Sequence, residues 1–146
     1  MNRRIALAAM ILASAFACWV GHAAMASSIS RSGKIVLTGT VKIVSNIPQS
    51  VPLVGQAVVM MGAGTTGDVN QHVIRAPVAL QRTGDTATGT VTLPYNWTYE
   101  SGVNDSMQIN FSVSVNLPSN PLARTAAIIA IPANGSVTTL TLPTSI

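Results

Sequence analysis

MQINFSVSV, residues 107–115, alternates without a break. Met107, Ile109, Phe111, Val113 and Val115 point one way, and Gln108, Asn110, Ser112 and Ser114 point the other. Successive side chains of a strand leave opposite faces, so the stretch reads as a half-buried β-strand with one apolar side. The same period runs outward from it in both directions. In GKIVLTGTVKIV, residues 33–44, Ile35, Leu37, Val41 and Ile43 share a face opposite Lys34, Thr38, Thr40 and Lys42. LVGQAVVMM, residues 53–61, is more continuously apolar and predicts a strand at a sheet centre or one covered on both sides. VIRAPVALQR, residues 73–82, reads as a single strand, and Pro77 marks an edge or a bulge because it has no ladder N–H. Ala87, Val91 and Leu93 alternate with Thr86, Thr88, Thr90 and Thr92, threonines that suit a pleated, solvated face.

After residues 107–115 come RTAAIIAI and SVTTLTL, at 124–131 and 136–142. Between them, Asn134-Gly135 has the chemistry of a type I′ hairpin turn, since both residues tolerate positive φ. Thr83-Gly84-Asp85 is a second turn. Seven strands joined by short Gly, Pro, Asn and Ser breaks, with no helical period, predict an all-β fold. The expected architecture is a single two-sheet antiparallel β-sandwich of immunoglobulin or transthyretin type.

The domain is expected to span residues 27–146. Residues 1–26 read as a cleaved signal peptide. Asn2, Arg3 and Arg4 form a basic start, residues 5–20 are nearly all apolar, and Ala24-Met25-Ala26 is an A-x-A cleavage site. Export to the periplasm or beyond follows. The one cysteine, Cys18, lies inside the leader. Ala15, Phe16 and Ala17 before it make a poor lipoprotein signal, so no lipid anchor is expected there. In residues 27–146 the cations are Arg31, Lys34, Lys42, Arg75, Arg82 and Arg124, against Asp68, Asp85, Glu100 and Asp105. They are scattered, whereas a nucleic-acid groove needs them clustered among stacking rings. No nucleic-acid partner is expected.

Chemical motifs are thin. Gly62-Ala63-Gly64-Thr65-Thr66-Gly67 matches G-x-G-x-x-G, but that motif works by opening a helix whose amides hold a pyrophosphate. The β-branched run and Pro77 that follow exclude such a helix. His72 is the one histidine beyond the leader, and no nucleophile elbow accompanies it. Glu100, Asn104 and Asp105 form a formal calcium set, with a solvated turn the preferred reading. The same two acids are too weak a pair to read as glycosidase carboxylates. The N-x-S/T sequons at Asn96, Asn104, Asn110 and Asn134 arise readily in a chain this rich in Ser and Thr. No enzyme, metal or cofactor is expected.

Three of the four aromatic residues beyond the leader are Tyr95, Trp97 and Tyr99; the fourth is Phe111. Extended, the three rings project to one side. Facing inward, they plug one end of the sandwich with their polar tips at its rim. Facing outward, they are binding residues for a sugar or a partner peptide. The plug is favoured, because Phe111 alone is a thin aromatic supply for a core.

The order of TGTVKI (38–43), GQAVVMM (55–61), VIRAPVALQRTGDTATGTVTLPYNW (73–97), MQINFSVSV and SVTTLTL resembles the type III secretion pilotin-like family of small periplasmic β-sandwich lipoproteins. The resemblance implies a non-enzymatic periplasmic protein, and pilotin members escort a secretin subunit to the outer membrane. Cys18 departs from that pattern and weakens an escort role.

The expected function is therefore protein binding, assembly or chaperone-like work on another exported or outer-membrane protein. The site would be the 94–106 loop or a sheet edge, the expected edges being the Pro77 strand and the first strand with Lys34 and Lys42. The alternatives are a surface-fibre or coat subunit that self-associates through edge strands and a detachable N-terminal arm, and a carbohydrate-binding module using Tyr95, Trp97 and Tyr99.

Overall fold

The computed structural model describes residues 28–61, 72–100 and 106–146. The leader, the glycine run at 62–67, and Asn104 and Asp105 lie outside them, as does the Glu100 side chain. Eight strands follow one another: β1 (Ser28–Lys42), β2 (Leu53–Met61), β3 (His72–Val78), β4 (Gln81–Thr83), β5 (Thr86–Glu100), β6 (Ser106–Val115), β7 (Leu122–Ala130) and β8 (Ser136–Ser145). They form two four-stranded sheets, one ordered β4-β5-β1-β8 and the other β3-β2-β6-β7. No helix occurs among the described residues. The fold is an all-β, two-sheet sandwich.

The strict alternation of β6, an inner strand of its sheet, gives it one fully buried face. Met107, Ile109, Phe111, Val113 and Val115 are all fully buried. Burying each such side chain contributes about 1.5–3 kcal/mol. A register slip by one residue would turn all five outward, so the apolar set fixes the pairing. Across the core, Ile35, Leu37 and Val41 of β1 and Ala87 and Leu93 of β5 supply the facing layer. Between them lies a notch. Gly39 of β1 pairs with Gly89 of β5 in the middle of two Thr-Gly-Thr-Val segments, residues 38–41 and 88–91. A Cβ on Gly39 would overlap the Phe111 ring, and one on Gly89 would overlap the Ala79 carbonyl. The two glycines therefore admit the Phe111 ring and the chain that crosses between sheets.

That crossing corrects the single strand expected over residues 73–82. β3 lies in one sheet and β4 in the other, with Ala79 and Leu80 between them. The eighth strand arises from this division. Pro77 does sit on an edge strand, opposite Gln56. In β2, Val58 and Met60 are half-buried and Val54 is exposed, so this strand is central without being covered on both sides.

The first strand is not an edge. β1 runs between β5 and β8, antiparallel to the first and parallel to the second. The β1–β8 pair is the one parallel pairing among the described strands, in a sandwich expected to be antiparallel throughout. It is possible because β8 enters from the opposite sheet, after β7, so no tight hairpin has to join it to its neighbour.

For the same reason Asn134-Gly135 does not close a hairpin. Gly135 has φ 76° but Asn134 is not at positive φ, which excludes type I′. Ser136 N donates to Ala133 O at 3.1 Å, closing a turn with glycine at its third position. Asn134 Oδ1 accepts from Ser32 N at 2.8 Å and Ser32 Oγ at 2.9 Å, which pins this turn to β1. Gly84-Asp85 does join a hairpin, with Gly84 at φ 60° in the first central position, as a type II′ turn requires.

Candidate functional site

The three rings on β5 extend the inward face set by Ala87, Val91 and Leu93. Tyr95 and Trp97 are buried, at 4% and 6% exposure, and Tyr99 is half-buried against the same cluster. The fold thus adopts the inward alternative. An outward stacking surface of all three rings is not what it presents, because the strand keeps its period to its end and these positions share the core face. Tyr95 and Trp97 lie tilted at 42° with centroids 5.2 Å apart. His72, at the start of β3 in the other sheet, stacks on Trp97 at 5.5 Å and 11°. Its Nε2 is 3.0 Å from the Thr98 carbonyl oxygen. Arg31 of β1 is Trp97's partner in the ladder.

This aromatic end is a packed seam between the sheets. His72 acts there as a flat lid and a backbone partner rather than as a strand-end polar residue. Nothing in its local sequence signals the stack, because Trp97 lies on a strand of the opposite sheet. Among the described residues, the Tyr95 hydroxyl and Ser136 Oγ are buried with no hydrogen-bond partner, the hydroxyl close above Gly33, which pairs with Ser136 in the ladder. Among the described residues, no three His, Cys, Asp or Glu side chains converge.

The strand edges divide into two unlike flanks. On one, β3 runs into β4 through Ala79 and Leu80, so the chain itself bridges the two sheets. Pro77 removes an edge donor there. Arg82 ties the flank down, donating from Nη2 to Ile47 O at 2.8 Å, from Nη1 to Pro48 O at 3.0 Å and from Nε to Gly84 O at 3.1 Å. β3 also lies against β5.

On the other flank β7 and β8 lie side by side as the edges of different sheets. Neither has a strand on its outer side among the described residues. β7, LARTAAIIA, carries one charge, Arg124, and no proline. β8, SVTTLTLPTS, carries no charge and has Pro143 near its end. Soluble sandwiches blunt such edges with lysines, prolines or bulges, and β7 has none of the three. Its outward residues include Ile128, 71% exposed, and Leu122, 53% exposed. Residues 126–131, AAIIAI, are an uncharged apolar run with no proline or glycine, and its three isoleucines favour strand pairing. Sequence reading missed this edge because pairing order is a long-range property, although the low charge of the run was visible.

No family model matches the chain, and neither a curated protein nor a solved structure matches it.

Proposed function

We propose that this chain is an exported, non-enzymatic β-sandwich that binds another exported or outer-membrane protein. It takes an extended segment of that partner as a further strand beside β7. The observation that carries this reading is the asymmetry of the flanks: the edge strand β3 is interrupted by Pro77 and the edge strand β4 is three residues long and tied down by Arg82, while β7 is nine residues long, regular and nearly uncharged. Main-chain hydrogen bonds along an open edge supply affinity, and alternate side-chain positions supply selectivity. Alternation on β7 would set Ile128, Ala126 and Leu122 against the partner's outward side chains. The resemblance to the pilotin-like family points the same way in kind, and residues 1–26 supply the expectation of export.

A fibre subunit built by exchange of the N-terminal arm has less support. Of residues 27–34, read as a detachable arm, 28–34 form the first half of β1 and pair in register with residues 94–100. Releasing them would break that ladder and uncover the rings on β5.

The test is capture from an envelope extract with the processed protein and with Ile128→Lys. A lysine at this exposed edge position leaves the core untouched and discourages strand pairing. The proposal expects a protein retained by the parent and lost with the variant. Equal retention by both would remove the β7 edge from the account.

A further inference from the structure

Among the described residues, the outer face of the β3-β2-β6-β7 sheet carries two cations and no acid. None of these four strands contains Asp or Glu. Arg75 stands on β3 and Arg124 on β7, at opposite edges of the sheet, three strand spacings across and two residues along, or about 16 Å between their Cα atoms. Both are exposed. Both nevertheless line the same two adjoining hollows, of about 350 Å³ and 390 Å³, together with Gln56 and Ser112. Gln56 and Ser112 are ladder partners in the middle of the sheet. Atoms of both arginines therefore border the hollows over this polar pair, one from each side of the sheet.

Two like charges converging on one strip repel each other, and an anion between them relieves that repulsion. Guanidinium groups hold carboxylates through paired N–H donors. The floor supplies the rest: the Gln56 amide, the Ser112 hydroxyl, and the Asn110 amide, whose Oδ1 accepts from Gln108 Nε2 at 3.1 Å. We infer that this face binds an acidic polysaccharide. Its carboxylates pair with Arg75 and Arg124, and its hydroxyls meet Gln56, Asn110 and Ser112. A sheet face offers no unpaired main-chain groups, which an extended acidic peptide would need for recognition by strand addition. A row of amides and hydroxyls matches a chain of sugar hydroxyls better. The site lies away from the rings of β5, so sugar recognition here runs through arginine forks rather than aromatic stacking.

Affinity electrophoresis through gels containing polygalacturonate, neutral dextran or polyglutamate tests the inference. The processed protein is retarded by polygalacturonate and not by dextran. Arg75→Gln and Arg124→Gln each weaken that retardation about tenfold or more, a change of about 1.4 kcal/mol. Lys42→Gln, on the outer face of the other sheet, leaves it unchanged. Loss of retardation with Lys42→Gln equal to that with Arg75→Gln would overturn the site in favour of diffuse charge. Polyglutamate binding as strong as polygalacturonate binding would replace the polysaccharide with an acidic peptide, and no retardation by polygalacturonate would remove the site. On the unmodified protein, a galacturonate oligomer shifts the amide resonances of Gln56 and Ser112. Shifts confined to residues 34–42 would contradict the assignment.

Discussion

The ring of Phe111, in the middle of one sheet, occupies the space that a side chain on Gly39, in the middle of the other, would need. The two residues lie on strands that never pair, yet each limits what the other can be. At this contact a ring of one layer fills a notch in the other, and it explains why a glycine interrupts the apolar face of β1.

Gly39→Ala forces a methyl group into the Phe111 ring. Overpacking of this kind costs about 1–3 kcal/mol, read as a lower urea midpoint with an unchanged slope. In a Phe111→Leu background the same substitution costs less by at least about 0.5 kcal/mol, because the two sites share one space. Strict additivity in the double mutant would show that the ring does not fill the Gly39 notch.

Trp97→Ala empties a buried site between the sheets and leaves His72 without its stacking partner. A loss of about 3–5 kcal/mol is expected, so the variant is strongly destabilised. A Trp97→Ala protein of normal stability that had lost a binding activity would place the ring on the surface, against the structure.

Tyr95→Phe deletes a buried hydroxyl that has no partner among the described residues. Removing such a group relieves its desolvation cost and leaves the ring packing in place. The variant is expected to be as stable as the parent or more stable by up to about 1 kcal/mol. A loss greater than about 1 kcal/mol in urea unfolding would mean the hydroxyl makes a hydrogen bond after all.

Short-range pattern carried much of this fold. The alternation of residues 107–115 placed five side chains on the core side of β6, and all five are buried. Ile35, Leu37 and Val41 of β1, and Ile43 just past its end, were legible in the same way. What was not legible depends on pairing between distant segments. In residues 73–82 the inward positions Ile74, Ala76, Val78, Leu80 and Arg82 keep period two straight through the crossing at Ala79-Leu80, so nothing local marks the change of sheet. The central place of β1 follows from β8 arriving on its far side, and lysines at 34 and 42 suggested an edge only because they are solvated. Asn134-Gly135 has hairpin chemistry, but its flanking strands belong to different sheets. The candidate surfaces were hidden for the same reason. The open β7 edge and the convergence of Arg75 with Arg124 both require the strand order β3-β2-β6-β7.

Amide hydrogen exchange, residue by residue, on the processed protein alone and bound to the partner it captures tests the β7 edge most directly. Strand addition predicts that alternate amides of Leu122–Ala130, those directed away from β6, exchange freely in the isolated protein and become protected in the complex, while β3 and β4 are unchanged. Protection appearing on β3 or β4, with β7 exchanging as before, would contradict the account.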